Sequence, residues 1–153
     1  MTNADNAKTF ALEISRLVKD QLPEVVVEVT KKLTLDALRG VVRKSPVGNP
    51  SLWKSKPPKG YVGGQFRGAW QTSVGTPATA QSGQPTSNRI DVEAQATAAL
   101  ATLEPYGVAY IVNGLPYAER LENGWSTQAP LGMVQLTVQE LNQQIIEYEA
   151  TLG

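Results

Sequence analysis

The chain has 153 residues, with 14 Lys and Arg against 14 Asp and Glu, 41% hydrophobic residues, and neither histidine nor cysteine. The length suits one domain with a single core. Without cysteine there are no disulfides, thiolate metal sites or thiol catalysis, and without histidine no Ser-His-Asp triad and no imidazole ligand for a metal.

Residues 3–20 place Ala7, Phe10, Ala11, Ile14, Leu17 and Val18 at spacings of three and four, one face of a helix. Pro23 donates no backbone hydrogen bond and its ring collides with the preceding turn, so a stop or kink is expected near Gln21. Residues 24–44 keep Val26, Val29, Leu33, Ala37 and Val41 at helical spacing. The Val25-Val26-Val27 run has strand propensity, but the helical period persists beyond it and predicts a second helix. Ser45-Pro46 ends it. The stretch VGNPSLWKSKPPKGYVGG that follows is a loop or arm whose Trp53 and Tyr61 pack on something, since aromatics are poor solvating residues.

In FRGAWQTSVG, residues 66–75, Phe66, Trp70 and Val74 fall on one side of a half-buried strand, with Arg67 and Gln71 on the other. Residues 76–89 form a polar, mobile linker. Ile90, Val92 and Ala94 fit a short strand, and the Ala-rich 96–103 a turn or two of helix. The apolar run 108–112 reads as a strand, ended by Asn113-Gly114. Pro116 fits the first position of a short helix over 117–122, and Asn123-Gly124 closes it with a left-handed cap. From Leu131 a long helix begins, with Val134, Val138, Leu141, Ile145, Tyr148 and Leu152 as a heptad-like seam. That seam packs on the chain's own sheet or, alternatively, on another subunit. The fold expected is α+β: long N-terminal helices and an amphipathic C-terminal helix on a small antiparallel sheet, with long loops. It forms one domain over 1–153, helical to 45, an arm over 46–65, and sheet plus helix over 66–153.

The net charge of zero gives no bulk attraction to nucleic acid or membrane, but the charges are unevenly spread. Arg39, Arg43, Lys44, Lys54, Lys56, Lys59 and Arg67 occupy 39–67 with no acid among them. Glu122, Glu140, Glu147 and Glu149 occupy 121–153 with no base. Two solvated faces, head-to-tail contact between copies, or a phosphate surface fit this pattern. Catalytic constellations are scarce. Glu119 and Glu122 are three apart and would suit acid–base work or a cation, but no third ligand accompanies them, and surface or intersubunit ion pairs fit better. The GYVGG at 60–64 lacks the Lys-Ser/Thr of a phosphate loop. Ser45, Ser55, Ser73 and Ser126 have no base nearby in sequence. Lys54, Lys56 and Lys59 around Trp53 and Tyr61 support a second reading, a nucleic-acid-binding module on the basic 39–67 stretch. A third, a small hydrolase, has only Glu119 and Glu122 to work with. There is no run of about 18 apolar residues to span a bilayer and no signal-peptide pattern.

Four pieces in order carry a resemblance: Ser45-Pro46-Val47 after the N-terminal helices; Gly64, Phe66, Arg67 and Trp70 in GGQFRGAW; Asn113, Tyr117, Ala118, Glu122 and Gly124; and Ala129, Pro130 and Met133. This arrangement resembles the neck or tail-completion (head–tail joining) proteins of tailed bacteriophages, the family typified by gene product ten of a lambda-like coliphage. The chain departs from that pattern in carrying the segment 48–62 between the first two pieces, and Gly63 where the family has Thr. The resemblance implies a structural virion protein with no activity and no cofactor. It implies a ring between capsid connector and tail, made in the host cytoplasm. The partners implied are further copies, portal, adaptor or stopper proteins, tail terminator and tube, and DNA passing through the channel. On this reading the interface candidates are Arg39, Arg43, Trp53, Lys54, Lys56, Lys59, Tyr61, Arg67, Arg120, Glu122 and Trp125. The basic stretch would meet the acidic C-terminal third of a neighbour, and Arg120 and Glu122 would make ring contacts or turn-holding salt bridges.

Overall fold

The computed structural model describes residues 3–52, 54–57, 59, 63–79 and 89–152. Trp53, Tyr61 and residues 80–88 of the polar linker lie outside the described residues.

The chain opens as one helical rod. α1 (Asn3–Arg16) continues through a π-helical turn (Leu17–Gln21) into α2 (Leu22–Lys44). Pro23 accounts for the join. It lacks the N–H that a regular turn would use, and the backbone takes a wider turn closed by the Leu22 N–H on the Leu17 carbonyl. The stop or kink expected near Gln21 is therefore a π-turn within a helix about 63 Å long at 1.5 Å per residue. The Val25-Val26-Val27 run is helical, as its surrounding period predicts. α2 ends at Ser45, whose backbone is extended ahead of Pro46.

A 3₁₀ turn at Pro50–Leu52 leads to α3 (Gln65–Gly68), a single turn that starts from left-handed Gly64 with φ 95°. β1 (Trp70–Val74) follows. Phe66 is thus on a helical turn rather than in a strand. A spacing of four fits both periods, and here it sets Phe66 edge-on to Trp70 with ring centroids 5.9 Å apart. α4 (Arg89–Leu100) replaces the short strand expected around Ile90, Val92 and Ala94. Val92, Ala96 and Leu100 recur every fourth residue and all three are buried. β2 (Ala109–Asn113) pairs antiparallel with β1, Trp70 opposite Asn113 and Val74 opposite Ala109. α5 (Ala118–Glu122) has Tyr117 at its N-cap, which puts Pro116 just outside the helix rather than in its first turn.

α6 (Val134–Leu152) begins three residues later than the pattern predicts, because Gly132 holds a left-handed φ of 79°. It packs on α2, not on the sheet. Gly40 lets the two helices approach: a Cβ there would lie 2.4 Å from Thr137 Cγ2. The face used is Met133, Leu136, Thr137 and Leu141, while Val134, Val138, Ile145 and Tyr148 of the expected seam are exposed.

Helices around a two-stranded antiparallel sheet make an α+β fold. Its core is small. Leu38, Val41 and Val42 at the end of α2 meet Phe66, Trp70, Val92, Ala96 and Met133. α4 lies across β1, and the last turns of α2 touch α3, α4, both strands and α6. No described helix is long and apolar enough to cross a membrane.

Candidate functional site

The cluster begins with Ser45. Its Oγ donates to the Val41 carbonyl at 2.7 Å and accepts the Trp70 indole N–H at 2.7 Å. Met133 Sδ lies 3.6 Å away, and the guanidinium of Arg67 donates to the Ser45 carbonyl at 2.8 Å. Ser45 is 2% exposed, so these bonds form where water does not compete. Asn113 at the end of β2 donates its amide to the Phe66 carbonyl at 2.9 Å and accepts the Leu115 N–H at 3.3 Å. Phe66 also stacks, tilted, on Tyr117 at 5.9 Å. The end of α2, the α3–β1 corner and the β2–α5 turn are thereby locked together.

Glu122 makes the fourth link. Its carboxylate accepts the backbone N–H groups of Met133 at 2.8 Å, Val134 at 3.0 Å and Gln135 at 3.0 Å. These are the orphan donors at the start of α6, and the negative charge sits at the positive end of the helix dipole. Burial opposes the charge, but the three N–H groups outweigh it and hold the carboxyl below its ordinary value. The chain can turn this tightly because of two glycines. Gly124, φ 82°, closes α5 as expected, with the Trp125 N–H on the Arg120 carbonyl and the Gly124 N–H on the Leu121 carbonyl. Gly132 passes so close that a Cβ would lie 2.5 Å from the Glu122 carbonyl oxygen.

Two glutamines act as substitute strands. The Gln95 side chain accepts from the Thr72 N–H at 3.1 Å and donates to the Thr72 carbonyl at 2.9 Å, satisfying the outer edge of β1. Gln128 does the same for Val47, at 2.9 and 3.1 Å.

The basic candidates divide. Arg39 pairs with Glu93 at 3.1 Å and Asp36 at 3.3 Å, and Glu93 raises its pKa above the ordinary value. Arg43 meets Glu140 at 3.3 Å, and Lys44 shares the same carboxylate. Lys44 is the main cause holding Glu140 below its usual value. Asp36, Arg39, Arg43 and Glu140 line a crevice of about 350 Å³ between α2 and α6, whose two arginines are both ion-paired. The basic stretch and the acidic C-terminal third, expected to meet between copies, meet here within one chain through Glu140. The reason is the α2–α6 crossing at Gly40, which no charge pattern encodes. Arg67 is turned inward to Ser45 rather than to a partner, and its Nε is buried without a hydrogen bond.

Glu122 binds backbone donors and forms no salt bridge with Arg120. Both its oxygens face α6, which leaves no free carboxylate pair with Glu119. Arg120 lies over the Trp125 ring, 5.3 Å from the centroid, and Trp125 is 74% exposed. Lys54, Lys56 and Lys59 are exposed, while Trp53 and Tyr61 fall outside the described residues. Among the described residues no group of His, Cys, Asp and Glu is arranged to hold a metal ion.

Gln95, Gln128 and Thr137 escaped the sequence reading, and Ser45 was read only as part of a motif and as a serine without a base, because their partners lie far along the chain. Gly40 was the one available signal: a glycine inside a helix costs about 1 kcal/mol relative to alanine, so it needs a packing reason. Neither a family model, nor a curated protein, nor a solved structure matches the chain.

Proposed function

We propose that the protein is a structural component of a tailed-bacteriophage virion, a ring subunit at the head–tail junction. The observation that carries this reading is the convergence of the four resembling segments. Ser45 binds Trp70 and Arg67, Asn113 binds the α3 carbonyl of Phe66, and Glu122 caps the helix that Met133 leads into. Residues spread over about 90 positions form one interlocked scaffold, which is what conserving a shape requires. The role of that scaffold is to present surfaces: the Arg120–Trp125 stack, the arm bearing Lys54, Lys56 and Lys59, and the helical ends. Contacts of this kind suit subunits that complete each other in a closed ring. On this reading the protein breaks no bonds and needs no cofactor.

Immunogold electron microscopy of purified virions tests it. Label at the neck between head and tail is the expected result. Label absent from mature particles rejects it. The nucleic-acid alternative rests on Lys54, Lys56 and Lys59, since Arg39, Arg43, Lys44 and Arg67 already have partners within the chain. Binding to DNA that falls steeply with added salt favours that alternative.

A further inference from the structure

The two edges of the sheet are finished differently. Gly75, just past β1, donates to the Val108 carbonyl at 2.9 Å. Antiparallel strands exchange bonds at every second residue, so Val108, Tyr110 and Val112 turn their backbone groups toward β1. Ala109, Ile111 and Asn113 turn theirs away, to the outer edge of β2. The same alternation sends Thr72 to the outer edge of β1, where the Gln95 amide satisfies both its N–H and its carbonyl. No bond of this kind reaches the backbone of Ala109 or Ile111 from a described residue. Nor does β2, AYIVN, carry the lysine or proline that blunts an exposed edge.

We infer that the outer edge of β2 pairs, antiparallel, with β2 of a second copy, making one sheet of four strands across a two-fold axis. A row of N–H and C=O groups two residues apart is matched by the backbone of another strand, and β2 is its own match. Its outward groups at Ala109 and Asn113 lie evenly about Ile111. An axis there sets Ala109 against Asn113 of the other copy and Ile111 against Ile111, each pair exchanging bonds in both directions. That register engages all five residues of both strands. The side chains agree with it. Ile111 shares the core-facing side of the sheet with the buried Trp70 and Thr72, so Tyr110 and Val112 stand on the opposite side. Across the axis Tyr110 meets Val112 of the other copy at both symmetry-related places, an aromatic against a β-branched residue. No charged residue lies between Pro105 and Ala118, so the axis sets no like charges together within this stretch. Beyond the strand, antiparallel pairing brings Tyr106 and Val108 of one copy toward Gly114–Tyr117 of the other. Tyr106 holds a left-handed φ of 62° in the turn closed by the Gly107 N–H on the Glu104 carbonyl, yet is 67% exposed. Such strain at a solvent-facing tyrosine marks a contact surface. Two strands alone also make a marginal sheet, which two more strands relieve.

The test uses the full-length protein, whose lack of cysteine leaves introduced thiols unambiguous. Directly opposite residues come within disulfide reach, and diagonal ones do not. Tyr110→Cys mixed with Val112→Cys is therefore expected to form a mixed disulfide dimer on mild oxidation, and either variant alone is expected not to. Charge gives a second readout on the same side of the sheet. Tyr110→Lys with Val112→Lys in one chain sets lysine against lysine at both places. Tyr110→Lys with Val112→Glu sets lysine against glutamate instead. The first pair is expected to dimerise about tenfold more weakly than the second in sedimentation equilibrium. Circular dichroism confirms that each variant folds. Efficient disulfide formation by Tyr110→Cys alone would mean parallel pairing and overturn the inference. Equal association of the two charge variants would overturn it too. So would a protein that stays monomeric at concentrations well above micromolar, which would assign the edge to a strand of another protein. The dimer is read in isolated protein and the neck position in virions, so either result can fail without the other.

Discussion

Glu122 and Ser45 show how much of this fold rests on single polar side chains. Glu122 satisfies three N–H groups that otherwise open α6 with no partner. Its pKa is lowered in the folded state, so the stability it contributes is present above its unfolded pKa and is lost as pH falls through the lower, folded one. Urea denaturation as a function of pH should show stability declining on acidification below the ordinary glutamate range. The part of that decline due to Glu122 should vanish in Glu122→Gln. At neutral pH the same substitution keeps an acceptor but removes the charge, and should cost about 1–2 kcal/mol. Ser45→Ala is a harsher change for its size. It removes the acceptor of the buried Trp70 indole N–H, and an unsatisfied buried donor costs about 1–3 kcal/mol. Trp70→Phe in the Ser45→Ala background removes that orphan, so the two losses should be less than additive.

The elements differ in how far local sequence determines them. β2, the Gly124 cap and the full run of α2 were legible because their signals are contained within a few residues: β-branched and aromatic residues, a left-handed glycine, an apolar period. α3 and the first half of α4 were misread as strands where apolar residues at spacings of two and four fit either period, whereas the Ala-rich second half of α4 was read as helix; burial of Val92, Ala96 and Leu100 together joins the two halves in one helix. The partner of α6 was not legible at all, since an amphipathic face does not say what it faces. Of the site, Asn113 and Glu122 stood in recognisable positions, but that Glu122 reaches the next helix follows from Gly124 and Gly132 turning the chain back. The α2–α6 crossing is the element contact most open to test. Gly40→Ala drives a methyl into Thr137 and should cost about 1–3 kcal/mol, opposite to the gain expected for a glycine replaced by alanine inside a free helix. Thr137→Ala removes the two nearest atoms, and combined with Gly40→Ala should recover part of the loss in a double-mutant cycle.

At the scale of the whole molecule, the rod divides: its last turns, from about Leu35 to Lys44, belong to the core, and its first 30 or so residues do not. Leu38, with none of its surface exposed, belongs to the core, whereas Phe10, Leu17 and Val18 are about half exposed or more and lie outside it. Helices held only by propensity are marginal in water, and most helical stability comes from a packed apolar face. The unfolding free energy of the monomer then comes from residues after about position 34. Deleting residues 1–16 should therefore change the monomer's unfolding free energy by no more than about 0.5 kcal/mol, measured in urea at concentrations too low for self-association. Leu38→Ala under the same conditions should cost about 2–5 kcal/mol. A deletion that unfolds the dilute monomer would show instead that the whole rod is part of the core's own cooperative unit.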